Sequence, residues 1–308
     1  MFDRLPHELA LLILEHAVNF LLASDRTSLV HLAQTSKTVY GIVAPQMYRS
    51  IYVPNGKASR LLAFADEDSP TRTLADRVFI HARSLHMVDF DTSKAFGKIF
   101  QRLEYIESHV EAIDVIATAC EKRRIIDGGI NTTLRSVHLC CDACATVIKI
   151  SGPTRMGITH LCGYMVDPQF GSLWDTFLAD PSDWMASLMD KLPALTHLGL
   201  NLYCVTVTSK VVEAFDLSAF AKTIHAALAT RDGCLRVVAV RVAGRYINRW
   251  DEILSTLQGV ESSGVGTAGR IRVWRDDRVQ DDWDECIMSN AAANRTIWTE
   301  SLPVASLG

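Results

Sequence analysis

From Leu5 onward the apolar positions Leu9, Leu12, Ile13 and Ala17 recur at three- and four-residue steps, while Glu8, Glu15, His16 and Asn19 mostly occupy the other side. This spacing predicts an amphipathic helix. Pro6 suits its first turn, where the missing N–H would have had no partner, and Glu8 complements the positive end of the helix dipole. Asp25, Thr27 or Ser28 can cap a second helix carrying Leu29, Val30, Leu32 and Ala33. Thr35 or Ser36 can cap a third with Val39, Tyr40, Ile42 and Val43. Beyond Tyr52 the pattern changes. After the turn cluster Pro54-Asn55-Gly56, short β-branched runs alternate with longer helical ones. Strands are expected at 77–80, 134–139, 158–161, 195–200, 235–242 and 271–274, and helices at 94–120, 182–191, 217–230 and 249–258. Gly233 and Gly259 are placed to end two of those helices. Such alternation favours parallel strands joined by helical crossovers.

Two architectures fit this alternation. Leu134-x-x-Val137-x-Leu139-x-x-Asp142-x-Cys144 approximates the leucine-rich-repeat pattern, and Leu195-x-x-Leu198-x-Leu200 and Leu235-x-x-Val238-x-Val240 share its first half. The later strand starts lie roughly 35 to 40 residues apart, longer than a regular repeat of that kind. The expected fold is therefore α/β: a three-helix module over residues 1–52, then an irregular leucine-rich-repeat-like solenoid of parallel strands and helices over 53–308. The alternative is an open doubly wound sheet. Strand parity places Val137, Leu139, Leu198, Leu200, Val238 and Val240 in the core. It sends Arg135, His138, His197, Gly199, Ala239 and Arg241 to the opposite side. If helices cover one face only, Arg135, His138, His197 and Arg241 would lie on an open concave surface suited to an acidic or extended peptide. A second helical layer would bury them instead, and the arginines would then need paired partners.

The N-terminal stretch resembles the F-box, a three-helix module that docks on the adaptor subunit of cullin-type ubiquitin ligases. The matching residues are Leu5-Pro6, Glu8-Leu9, Ile13-Leu14, Leu29, Leu32-Ala33, Thr35-Ser36-Lys37, and Pro45 before Tyr48-Arg49-Ser50-Ile51. The link from the first helix to Asp25 is about four residues longer than in that family, which one extra helical turn would absorb. Tyr40 stands nearest to the family's tryptophan. The resemblance implies an adaptor-binding set of Leu5, Pro6, Leu9, Ile13, Leu14, Leu29, Leu32, Val39, Tyr40, Pro45 and Tyr48. It also implies a substrate receptor for an unknown protein target, with adaptor and cullin as partners. Divergent leucine-rich arrays are a common companion of F-boxes. Rival readings are a scaffold whose N-terminal helices merely cap the array, and an α/β enzyme.

Composition narrows the partners. With 308 residues, 48% of them hydrophobic, the chain can bury a large core and suggests about two domains. A formal net charge of −4 offers no basic excess for nucleic acid. Glu15, His16 and Asn19 interrupt the apolar stretch from Leu9 to Leu22, so neither a signal peptide nor a membrane span is expected. Eight cysteines in a chain of this size read as reduced thiols, which points to cytoplasm or nucleus.

Candidate chemistry adds little. Gly264-Val265-Gly266-Thr267-Ala268-Gly269 matches the dinucleotide fingerprint, but it follows a helical pattern and leads into a strand, the reverse of the required context. A helix-to-strand loop is the simpler reading. Cys140, Cys141, Cys144, His138, His160 and Cys162 could in principle surround zinc, yet no second Cys-x-x-Cys follows, and packing as small apolar groups is the expectation. Asp276, Asp277, Asp281, Asp282, Asp284 and Glu285 read as a solvated cap rather than an ion site. No nucleophile elbow and no His-Glu-x-x-His helix is present. The expectation is a non-enzymatic protein without cofactor or metal, whose tryptophans are mostly core.

Overall fold

Eight parallel strands succeed one another across a single sheet in the order in which the chain makes them, and a ninth pairs antiparallel at the far edge. The architecture comes from a computed structural model, which describes residues 6–53, 56–66, 68–87, 99–100, 103–108, 116, 135–142, 155–164, 186, 188–203, 212–229, 234–264, 267–277 and 296–307. The fold is α/β with a mostly parallel nine-stranded sheet.

Three helices come first: α1 (His7–Ser24), α2 (Arg26–Ala33) and α3 (Lys37–Met47). Pro6 is the N-cap of α1, its carbonyl accepting from the Leu9 and Ala10 amides. The helix runs to Ser24, so the extra residues before Asp25 are helical. Asp25 caps α2 by accepting from the Thr27 and Ser28 amides, and the Ser28 hydroxyl and amide hold its carboxyl below the usual range. Ser36 Oγ accepts from Val39 N at 3.1 Å to start α3. These helices enclose a small core of Val18, Leu29, Ala33 and Val43, flanked by Leu14, Leu21, Leu32, Val39, Tyr40 and Met47.

The strands are β1 (Ser50–Val53), β2 (Ser84–Met87), β3 (Tyr105–Ser108), β4 (Ser136–Asp142), β5 (His160–Tyr164), β6 (His197–Leu202), β7 (Val237–Ala243), β8 (Ile271–Asp276) and β9 (Leu302–Pro303). One joint repeats at their starts. The carbonyls of Arg49, Arg83, Glu104, Arg135, Thr159 and Thr196 each accept from two consecutive amides at the start of the next strand. The result is that Leu85, Ile106, Val137, Leu161, Leu198 and Val238 line up in one row across β2 to β7, the β4–β5 register shifting only between Leu139 and Asp142. That row is buried, each residue preceded by three positions by another apolar one, such as Ala82, Leu103, Ile158, Leu195 or Leu235.

The helices α4 (Ala58–Ala65), α5 (Arg72–Phe79), α6 (Leu217–Ala229) and α7 (Trp250–Ser263) press Ala58, Ala65, Ala75, Phe79, Phe220, Ile224, Ile253 and Leu257 into the same core as that row. A parallel crossover is right-handed, so a chain that always steps to the same side keeps its crossovers on one face. The strand order never reverses, so the described sheet lacks the switch point that defines the ligand crevice of a doubly wound sheet.

Several sequence expectations are corrected here. Residues 77–80, expected as a strand, end helix α5, because Ala75, Val78 and Phe79 are buried at helical rather than alternate spacing. The helix expected over 94–120 contains β3, and β2 had no counterpart among the expected strands. The expected boundary near residue 52 falls inside β1. Gly259 lies within α7 instead of ending it, and Gly233 is outside the described residues. The glycine-rich run joins α7 to β8, as the loop reading expected, with Thr267 Oγ1 donating to the Glu261 and Gly264 carbonyls at 2.7 Å.

Candidate functional site

Helix α1 is apolar almost all the way round, and the structure divides it into two apolar faces. Leu14, Val18 and Leu21, at helical steps, join the three-helix core. Leu9 and Ile13, of the expected adaptor set, point outward at 48% and 47% exposure, as do Leu12 at 50% and Phe20 at 71%. At 100° per residue Leu9, Ile13 and Phe20 fall on one face, opposite Val18. Pro6 is exposed at the same end. Other members of the expected adaptor set sit differently. Leu29 is fully buried in the three-helix core, so it supports the unit from within rather than contacting a partner. Leu32, Val39 and Tyr40 pack at the edge of that core, Pro45 lies inside α3, and Tyr48 packs against the sheet core. Leu5 is outside the described residues. Phe20, the most exposed large apolar side chain among the described residues, lies outside the leucine pattern that carries the adaptor set.

The face of the sheet opposite α4–α7 is where target contacts were expected, and it is not uniformly open. Arg135 is exposed just ahead of β4. His138 holds a register position on β4 between Glu107 and Cys162. Arg241 is a correction: it is buried, its Nε donates to Asp276 Oδ2 at 3.0 Å, and its guanidinium lies 5.2 Å from the Trp274 ring centroid. Asp276, expected in a solvated acidic cap, is buried with it. A charge that parity sends to this face is thus paired and covered, without a second layer of crossover helices among the described residues. The acidic positions 281–285 lie outside those residues.

His197 is also partly covered. Its ring stacks on that of His160 with centroids 4.1 Å apart and planes 10° from parallel. Helix α8 (Thr296–Glu300) lies over this part of the sheet, and Trp298 stands edge-on to both rings at 5.3 and 5.6 Å. Ile297 and Trp298 pack with Cys162, Ala239 and Trp274 in a small apolar cluster separate from the main core. Cys162, Gly199 and Ala239 form one register row beneath them. The row must be small: a Cβ on Gly199 would come within 2.7 Å of Cys162 Sγ and 3.2 Å of Trp298 Cη2. Cys162 acts here as a packed thiol, with Asn201 Nδ2 at 3.2 Å from its sulfur.

Electrostatics follow from this packing. Burial, followed by the His197 ring, pushes the His160 pKa down to about 4. Burial, then Arg236 and Arg272, lowers that of His197. Thr159 Oγ1 and Thr196 Oγ1 lie 2.9 and 2.8 Å from the Nδ1 atoms of His160 and His197, and 3.2 Å from the Arg135 and Thr159 carbonyls. A sequence signal for this pair existed. Thr-His-Leu occurs at 159–161 and again at 196–198, at equivalent places in two strands.

No described helix is long and apolar enough to cross a membrane. Among the described residues no group of three or more His, Cys, Asp or Glu is placed to hold a metal ion; Cys144 is outside them. Comparison with protein-family models, with curated proteins and with solved structures finds no match.

Proposed function

We propose that the chain is a substrate receptor of a cullin-type ubiquitin ligase, docking on the adaptor through an F-box-like three-helix unit and holding a protein target with the sheet domain. The observation that carries this reading is the solvent-exposed apolar second face of α1. Its inner face already serves a core of its own with α2 and α3, so Leu9, Ile13 and Phe20 are not left exposed for want of an internal partner. Contiguous exposed apolar side chains of this kind mark interaction sites. Pro6, Leu14, Leu32, Val39, Tyr40 and Pro45 would shape or support that surface, and Tyr48 would join it to the sheet.

In the same reading the sheet domain is an irregular leucine-rich-repeat-like solenoid. Support comes from the unreversed strand order, the joint repeated at successive strand starts, and the recurring buried row. Arg135 and His138 remain the candidate target contacts; Arg241, buried against Asp276, does not. Such a receptor does no bond chemistry and works by raising the effective concentration of target lysines near the transfer machinery, in cytoplasm or nucleus.

A second reading makes the helices a cap on the first strand, and the packing of Tyr48 and Ile51 in the sheet core favours it. Affinity purification of the full chain separates the two. Co-purification of adaptor and cullin, lost on the combined change Leu9→Ala, Ile13→Ala and Phe20→Ala, supports docking. Purification without either protein under native conditions leaves the cap.

A further inference from the structure

We propose that α8 is an acid-opened latch: Trp298 rests on the neutral His160/His197 pair, and protonation of that pair lifts residues 296–300 from the sheet and bares the socket of Cys162, Gly199 and Ala239. The geometry supplies each part. Two imidazoles stacked at 4.1 Å are tolerated while neutral, but a charge on one is opposed by the desolvated position and by the ring beside it. In a charged ring both nitrogens carry protons: Nδ1–H has its threonine oxygen to donate to, whereas for Nε2–H the described residues offer no hydrogen-bond acceptor. Trp298, 5.3 and 5.6 Å from the two rings and steeply inclined to both, is the neighbour that gives way when the charged pair takes up water.

The surroundings reinforce the effect. The titratable and charged groups on the neighbouring elements are Arg135 and His138 at β4, Cys162 on β5, Arg236 ahead of β7, Arg272 on β8, and the exposed Glu300 at the end of α8. Arg236 and Arg272 both disfavour a charged His197. Movement stops at the end of α8, because the chain after it is held independently of the pair. Arg272 Nε donates to the Ser301 carbonyl at 2.9 Å, Leu302 pairs with Val273, and Val304 is buried in the main core on the other face. Ser301 is therefore the hinge, and the five residues before it are the moving part. No residue of the three-helix unit is involved.

The test follows Trp298 emission in the full chain, isolated as the difference between wild type and Trp298→Phe, from about pH 7.5 to about pH 4, with backbone circular dichroism recorded alongside. The latch predicts a red shift of the Trp298 component as pH falls below the ordinary histidine value of 6.5 toward about 4, with the backbone signal unchanged. It predicts no such shift in H160Q/H197Q, whose rings cannot charge. Should that double variant not fold, H197Q alone serves: the His160 ring resonance and the Trp298 shift must both move to higher pH, because the repelling neighbour is gone. A flat Trp298 signal while the wild-type rings titrate, a shift that persists in the double variant, or an unmoved midpoint in H197Q overturns the proposal.

Discussion

Arg241 and Asp276 meet across adjacent strands with Nη2 at 2.8 Å from Oδ2, and their side chains are 2% and 1% exposed. The register sets Arg241 beside Trp274, two residues before Asp276 on the same face of β8, so the guanidinium reaches diagonally to the carboxylate while lying over the indole. Removing one partner of such a pair leaves a buried charge uncompensated, at a cost of about 3–5 kcal/mol. Arg241→Met should therefore lower stability in urea by that order. Adding Asp276→Leu should restore most of the loss, because apolar replacement of both partners is close to neutral. A double variant as unstable as the sum of the two singles would show that the residues act separately.

The two faces of α1 predict opposite responses. Leu29→Ala empties a fully buried site in the three-helix core and should cost about 2–5 kcal/mol. Leu9→Ala and Ile13→Ala lie on the exposed face and should each change stability by only about 0.5 kcal/mol, while adaptor capture falls. Thermal unfolding and pull-down of the same preparations check both halves. Equal destabilisation by Leu9→Ala and Leu29→Ala would mean that the outer face is covered in solution.

How much of this could be read from residues alone differs along the chain. Asp25 and Ser36 were legible as caps because capping is local chemistry between a side chain and amides two or three residues away. Strands β4 to β8 were legible because their alternating apolar residues face a single buried layer. The failures share a cause. Val78, Phe79 and Ile80 are β-branched or aromatic and read as a strand, but helical spacing back to Ala75 decides their burial. In α1 nearly every turn offers leucine or isoleucine, so periodicity could not tell the packed face from the bare one. Which of the residues opposite the core would be covered depends on α8, which arrives from far along the chain and leaves no trace in the pattern of β5 to β7.

The histidine pair predicts the sign of one pH dependence. Both rings have a folded pKa below the ordinary 6.5, so the unfolded chain binds protons more readily than the folded one as pH falls. The contribution of His160 to stability is complete above about pH 6.5, declines as pH falls from there toward about 4, and loses no more below that value, while His197 acts in the same direction. His160→Gln should thus flatten the fall in melting temperature between about pH 6.5 and pH 4 relative to wild type. A variant that tracks the wild type through this window would mean that His160 titrates normally in the folded chain.

Gly199 offers the sharpest test of how α8 meets the sheet. Its backbone does not require glycine by conformation; the constraint is space, since an added Cβ would meet Cys162 Sγ at 2.7 Å, Cys162 Cβ at 3.1 Å and Trp298 Cη2 at 3.2 Å. The first of these is closer than real contacts allow, and cross-strand neighbours in register cannot slide apart without disturbing the ladder. Gly199→Ala should therefore cost about 1–3 kcal/mol, the range for overpacking a filled site. Cys162→Ala removes the nearest atom and leaves the cysteine Cβ, so the same glycine substitution in that background should cost less, with a coupling of about 0.5–3 kcal/mol as residues in contact show. Trp298→Phe shortens the ring above and should relieve a further part. Urea unfolding of the three single and two double variants gives both couplings. Independence of Gly199→Ala from both backgrounds would mean that the segment does not sit over Gly199, and the socket beneath Trp298 would fall with it.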